Sequence, residues 1–230
     1  MDNLVIVTSA QSSETIEQDI DSSEWRARQK KIKRIVDVGL AVTLLILFSP
    51  LIIGVSLLLF VLQGRPILFR HRRIGRNGEA FDCLKFRSMV NHADRVLEDY
   101  LAADAAIRRE WEVRRKLKND PRVTPLGRVM RKASLDELPQ LLNVIRGEMS
   151  LVGPRPIELS EMRFYGAHLY IYQSVRPGIT GPWQVGGRSN VGFHKRVELD
   201  VDYIVNWSLT KDVMIIIKTV AVVIYMSGSF

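Results

Sequence analysis

Cysteine is nearly absent from this 230-residue chain. Cys83 stands alone, so no disulfide framework can form within the chain. Histidine is sparse as well. His71, His92, His168 and His194 are scattered, and no spacing among them suits a Cys/His zinc site. The first 24 residues contain no basic stretch leading into an apolar one, so they are read as a loose polar tail and not as a secretory signal peptide. The low hydrophobicity that marks wholesale disorder is also missing, since apolar residues make up 47%. The length accommodates one ordinary domain plus something small, and not two domains with separate cores. Charge is missing altogether from residues 38–62, a run of 25 residues.

What is present frames that gap. The chain carries 33 Lys and Arg against 25 Asp and Glu, a net charge of +8. Part of the excess flanks the apolar run: Arg26, Arg28, Lys30, Lys31, Lys33 and Arg34 before it, and Arg65, Arg70, Arg72, Arg73 and Arg76 after it. A helix of that length reaches across the roughly 30 Å hydrocarbon core of a bilayer. Two features argue for re-entry over spanning. Positive residues mark the cytoplasmic side, and here both flanks are positive. Ser49-Pro50 lies near the middle, where proline removes a helical hydrogen bond and kinks the chain. Two half-helices of about 12 residues each reach roughly 18 Å, enough to enter and return. The Ser49 hydroxyl is a candidate donor for a carbonyl freed at the break. Asp37, just inside the apolar boundary, reads as an interfacial carboxylate paired with Arg34, with a role in tethering the hairpin to the rest of the fold as the alternative. The basic flanks suit anionic lipid, at about 1 kcal/mol per Lys or Arg near the surface. No nucleic-acid motif is visible, so no nucleic-acid partner is expected.

The remainder reads as an α+β domain, mostly helical. Residues 66–88 read as strand, turn and strand, with Asn77-Gly78 signalling a tight hairpin turn. A helical pattern runs from about Asn91 to Lys118 and stops at Asn119-Asp120-Pro121. Thr124 and Pro125 read as N-cap and first residue of a second helix through Lys132. Residues 157–173 look helical, residues 176–192 are rich in Gly and Pro, and Val191–Asn206 and Thr210–Met226 look like two closing helices. The stretch Val213–Met226 is apolar all round except for Lys218 and too short to span. It is either a buried core helix or one resting on lipid.

Asp136-Glu137 is the most chemically suggestive pair. Adjacent carboxylates repel, and a divalent cation beside them relieves that cost. Mg²⁺ takes one or two protein carboxylates and completes its shell with water and phosphates. A carboxylate can also attack phosphorus. The structural alternative is a capping box, Ser134 with Glu137, although Pro139 sits awkwardly in such a helix. Lys85, Arg131, Arg155 and Arg188 lie in segments rich in Gly, Pro or Ser, where arginine is well suited to gripping phosphate.

These residues fall into an ordered series. It runs Lys85-Phe86-Arg87-Ser88-Met89, then Arg131 with Ser134-Leu135-Asp136-Glu137-Leu138-Pro139-Gln140, then Gly147 with Met149 to Pro156. Arg176 to Gly181 with Trp183-Gln184 follows, and then Gly187-Arg188-Ser189. The series resembles the bacterial sugar transferase family, the monotopic polyprenyl-phosphate phosphoglycosyl transferases, over about residues 30–230. Asp200, Asp202-Tyr203-Ile204 and Asn206-Trp207-Ser208-Leu209 look like the exopolysaccharide branch.

The resemblance implies a re-entrant membrane helix-break-helix hinged at Ser49-Pro50, joined to a small cytosolic catalytic domain with a β-hairpin. The expected division is a polar tail (1–24), the basic flank and membrane helix (25–64) and the transferase domain (65–230). Without the multi-span N-terminal region of many relatives, the chain reads as the minimal catalytic form. The implied location is the cytoplasmic face of a bacterial inner membrane. The implied reaction moves a sugar-1-phosphate from a UDP-sugar, galactose or glucose, to undecaprenyl phosphate and releases UMP. Asp136 is the implied nucleophile, forming a covalent phosphosugar intermediate, and Glu137 with Asp136 is placed at Mg²⁺. Lys85, Arg131, Arg155 and Arg188 match phosphate-contacting positions, with Arg176 a competitor for the role of Arg188. A Mg²⁺-dependent hydrolase and a non-catalytic membrane scaffold are the rival readings. The sugar is not readable, and a homo-oligomer is as open as a monomer.

Overall fold

The computed structural model describes residues 28–114, 117, 119–186 and 192–224. The expected polar tail, Arg26 and Arg188 lie outside the described residues.

The apolar run forms two helices, α1 (Arg28–Leu47) and α2 (Ser49–Gln63), bent by 61° at the break. Pro50 has no N–H, which leaves the Ile46 carbonyl, four residues earlier, without its helical donor. The Ser49 hydroxyl donates to that carbonyl at 2.7 Å, the role the sequence suggested for it. No single described helix is long and apolar enough to cross a membrane, whereas this bent pair qualifies by length and composition. Most of its apolar side chains are exposed, among them Ile35, Ile46, Leu57 and Val61.

Each arm of the bent pair is docked separately. Strand β1 (Leu68–Ile74) pairs antiparallel with β2 (Ala80–Phe86), from Leu68 opposite Phe86 to Ile74 opposite Ala80. Helix α5 (Pro125–Lys132) is capped by Thr124, whose hydroxyl accepts from the Gly127 N–H at 2.9 Å. Val55 and Leu59 of α2 pack with Phe86 of β2 and Met130 of α5. Ala41 of α1 packs in the central core with Phe81, Leu141, Val144 and Met149. Leu138 lies against both clusters.

Polar contacts also hold α1. The Asp37 carboxylate accepts from the Ser150 hydroxyl (2.7 Å) and the Leu151 N–H (3.2 Å). Lys33 donates to Asp212 at 2.6 Å, and the Tyr203 hydroxyl and Trp207 indole N–H donate to the same carboxylate. The expected Asp37–Arg34 pair is therefore corrected. Asp37 is buried, and it serves β3 (Ser150–Val152). Arg34 instead donates to the Val144 and Ile145 carbonyls at the end of α6 (Gln140–Arg146).

The hairpin connection is longer than the tight turn expected. It runs over residues 75–79, with Asn77 and Gly78 at φ 58° and 77°, a conformation these two residues tolerate best. The single helix expected over 91–118 is two, α3 (Ala93–Ala103) and α4 (Ala105–Arg114). Asp104 breaks it by adopting an extended backbone while its carboxylate accepts from the Ala106 N–H at 2.7 Å. Residues 157–173 are not one helix either. Two 3-10 segments, Leu159–Phe164 and Gly166–His168, precede the short α7 (Leu169–Gln173), and Gly166 at φ 50° interrupts the regular backbone.

The Gly- and Pro-rich stretch holds β4 (Gly178–Thr180), which pairs parallel to β3, and α8 (Pro182–Gly186). A Cβ on Gly178 would lie 2.1 Å from the Gly153 nitrogen, so glycine is what lets these two segments meet. Helices α9 (Phe193–Val205) and α10 (Leu209–Ile224) close the described chain. The last helix is buried on one face only, as neither an all-round core helix nor a free one would be. Ile215 and Asp212 face the core, while Val213, Ile217 and Val220 form an exposed apolar face.

Candidate active site

Asp136 and Glu137 occupy a 3-10 turn, Leu135–Glu137, between α5 and α6. The capping box does not form. Ser134 has φ 55° and its side chain makes no cap bond, which leaves Glu137 available for other work. Strand β2 delivers Lys85 to the turn, where its ammonium donates to Glu137 at 2.6 Å. Asp136 is buried, and burial pushes its carboxyl above the ordinary range, with Glu137 adding to the rise and Lys85 and Arg131 opposing it. Burial would raise Glu137 too. There the Lys85 ammonium prevails and holds the carboxyl below the ordinary range, helped by Arg155 and a hydrogen bond to Gln140.

Two sequence-selected arginines converge on this turn from different sides. Arg131, near the end of α5, donates from Nε to the Ser88 hydroxyl at 2.9 Å and is a direct electrostatic neighbour of Asp136. Arg155, on the loop after β3, acts on Glu137, and its guanidinium lies 5.6 Å from the Trp183 ring centre. Arg176 is engaged elsewhere, donating to the Gly147 carbonyl at 2.7 Å beyond the end of α6. Ser49 and Pro50 stand at the helix break.

Three positioning residues escaped the sequence reading. Asn143 is fully buried on α6, accepts from the Leu84 N–H (3.0 Å) and donates to the Asp82 carbonyl (2.8 Å) and to Glu148 (2.6 Å). It completes the free edge of β2 and fixes the strand of Lys85 against the helix that follows Glu137. Arg87 is buried and donates to the Gln63 and Gly64 carbonyls at the exit of α2 (2.6 and 3.0 Å). Gln140, at the start of α6, supports Glu137. Arg87 and Gln140 sit inside the motifs already singled out. Asn143 had no local signal, because its two partners on β2 are 59 and 61 residues away in sequence.

The donor set suits a hard divalent cation held partly by substrate. Among the described residues no group of three or more His, Cys, Asp and Glu side chains could form an all-protein metal cage. Two adjacent carboxylates, one of them with 35% of its side chain exposed, match the one or two protein ligands that Mg²⁺ takes beside water and phosphate.

Comparison with known proteins supplies the family. The family model described as bacterial sugar transferase matches residues 28–226. The chain is 48% identical over 198 residues to the exopolysaccharide production protein ExoY of Sinorhizobium fredii, covering 86% of this chain and 88% of that protein. It is 46% identical to the undecaprenyl-phosphate galactose phosphotransferase of Salmonella typhimurium, over 86% of this chain and 42% of that protein. It is 40% identical to the UDP-glucose:undecaprenyl-phosphate glucose-1-phosphate transferase of Caulobacter vibrioides, over 82% of this chain and 68% of that protein. With the match running from the first turn of α1 into the end of α10, the chain belongs to the bacterial sugar transferase family and is an enzyme of that kind.

Proposed function

We propose that this enzyme transfers a sugar-1-phosphate from a UDP-sugar to undecaprenyl phosphate and releases UMP, as the first step of exopolysaccharide repeat-unit assembly. The observation that carries the reading is the Asp136-Glu137 turn, with Asp136 buried, Lys85 bonded to Glu137, Arg131 acting on Asp136, and Leu135 and Leu138 packed against the cluster that α2 shares with β2 and α5. A carboxylate nucleophile, cations for phosphate and an apolar bent helix meet at one place. The names of the relatives point the same way, with galactose in one and glucose in another.

In this mechanism an Asp136 oxygen attacks the phosphorus that bears the sugar. A P–O bond to Asp136 forms, the P–O bond to UMP breaks, and UMP departs with the electron pair. An oxygen of the lipid phosphate then attacks the same phosphorus, and the carboxylate leaves unchanged. Asp136 must be ionised to attack, and its burial makes the cations beside it necessary. Lys85, Arg131 and Arg155 offset the negative charge of the diphosphate, the main task in phosphoryl transfer. Asp136 and Glu137 would hold Mg²⁺, which supplies further charge neutralisation when bound. The bent pair α1–α2 is read as re-entrant, seated in the inner leaflet with the catalytic domain on the cytoplasmic face, so lipid phosphate and soluble nucleotide meet without crossing.

The test is incubation with UDP-galactose and UDP-glucose, with and without undecaprenyl phosphate. Sustained UMP release that requires the lipid, with a lipid-linked sugar phosphate as product, is expected. Sustained release without lipid would make the enzyme a hydrolase. Asp136→Asn is expected to abolish transfer while the protein remains membrane-bound, and near-normal turnover in that variant would remove Asp136 as nucleophile.

A further inference from the structure

Strand β1 sets an exposed aromatic ring directly across from Lys85. In the antiparallel register Phe69 stands opposite Lys85, His71 opposite Cys83 and Arg73 opposite Phe81. Residues paired in this way share one face of the hairpin, with Cβ atoms roughly 5 Å apart. It is the face from which Lys85 reaches Glu137. Phe81 and Cys83 on that face are buried in the core, whereas Phe69 is 51% exposed. An exposed ring there adds little to the core, and it presents apolar surface at the edge of a charged site.

The ring is held in place. His71 meets it edge-on, with ring centres 5.5 Å apart and planes at 67°. His71 is itself engaged on both nitrogens. Arg73 donates to its Nδ1 at 3.3 Å, and its Nε2 lies 3.2 Å from a Glu158 oxygen. Lys85 and Arg155 both act electrostatically on His71, so the aromatic pair borders the site already described.

Position along the strand says what the ring meets. The Arg87 N–H donates to the Ile67 carbonyl at 2.9 Å across the open end of the hairpin. The Arg87 guanidinium holds the Gln63 and Gly64 carbonyls, so α2 ends at that same place. Phe69 is two residues beyond Ile67, roughly 7 Å along a strand. The last turn of α2 is exposed and apolar at Phe60, Val61 and Leu62. Exposed apolar side chains thus stand at the end of the bent pair and again at Phe69, and a cation stands opposite. A hydrocarbon chain that ends in a phosphate has its parts in this order. A pyrimidine base would also stack on the ring, but reading a base takes a hydrogen-bonding edge, and the His71 nitrogens beside the ring are already committed.

Resting on the transfer reading above, we propose that Phe69 is an acceptor-binding residue. The first isoprene units of the lipid phosphate lie on its ring, and the phosphate is delivered to Lys85 and the Asp136-Glu137 turn.

The test compares Phe69→Ala, Phe69→Gln and Phe69→Leu with the unaltered full chain in detergent, which removes any part Phe69 plays in seating the protein on a bilayer. In the double displacement proposed above, kcat/KM for the donor reports the first half-reaction and kcat/KM for the acceptor the second. Phe69→Ala and Phe69→Gln are expected to lower kcat/KM for undecaprenyl phosphate by about tenfold, the scale of one apolar side-chain contact. Phe69→Leu, apolar without being aromatic, keeps most of that contact and stays within about threefold. Donor kcat/KM and affinity for UDP are expected to be unchanged in all three. An unchanged acceptor kcat/KM in a folded Phe69→Ala or Phe69→Gln protein overturns the proposal. So does a fall in donor kcat/KM and UDP affinity that Phe69→Leu shares, the pattern of a shelf for the base. Direct affinity for undecaprenyl phosphate is measured in parallel. If the unaltered enzyme transfers from no UDP-sugar, the functional reading fails by itself. That affinity then decides the role of Phe69 separately, upheld by a loss in Phe69→Ala and overturned by none.

Discussion

At the scale of single residues, Lys85 carries more of the site than any one carboxylate. It lowers the ionisation range of both Asp136 and Glu137, against burial that raises each. Lys85→Gln removes a cation that favours the charged forms, so both carboxyls titrate at higher pH. The nucleophile is then protonated over a wider acid range, and the acid limb of the pH–rate profile moves to higher pH. Lys85→Arg keeps the charge and keeps the limb nearer its place. Single-turnover release of UMP across pH 5–8 measures this, and an unmoved limb in Lys85→Gln would separate Lys85 from the ionisation of the pair. The importance of Lys85 was legible in the sequence because it sits in an ordered motif. The direction of its hydrogen bond was not, since Glu137 lies 52 residues further on.

At the scale of elements, the site depends on how closely α5, α6 and β2 approach. A Cβ at Gly127 would lie 2.0 Å from the Ser88 carbonyl oxygen, so α5 reaches the segment after β2 only because glycine stands there. Asn143 does the same work between α6 and β2 through hydrogen bonds. Asn143→Leu leaves the Leu84 N–H and the Asp82 carbonyl buried without that partner, at about 1–3 kcal/mol for each group. A drop in unfolding temperature with parallel loss of transfer is expected, and thermal unfolding in detergent with an activity assay checks it. An unchanged melting temperature would mean that β2 is held by other contacts. Helix starts at Ser49-Pro50 and Thr124-Pro125 and the strand pair around Asn77-Gly78 were readable from local chemistry. The β3–β4 pairing was not. Each strand is three residues long, and the close backbone contact between Gly153 and Gly178 that allows it is a long-range fact.

At the scale of the whole molecule, the apolar run and its basic flanks pointed to a membrane segment, and composition could not say how the bent pair docks on the domain. Lys33, Asp37 and Asp212 supply that answer through contacts over 100 residues apart in sequence. The re-entrant reading has a direct check, because Cys83 is buried and an introduced cysteine can be labelled selectively. In intact spheroplasts an impermeant thiol reagent is expected to label neither Gln29→Cys nor Arg65→Cys, and to label both after permeabilisation. Adding Pro50→Leu restores the missing N–H, and outside labelling at Gln29→Cys is then expected to rise. Labelling of one flank in the protein with Pro50 intact would establish a spanning helix. The two arms also rest on different clusters, α1 in the central core and α2 beneath β2 and α5, and Leu138 touches both. They act as two levers on separate bearings with Leu138 as the shared pin, and the pin is the residue next to Glu137. On the re-entrant reading proposed above, a change in bilayer thickness or lateral pressure that alters the splay of the levers is expected to reach the Asp136-Glu137 turn through Leu138, and turnover in nanodiscs of differing acyl length checks it.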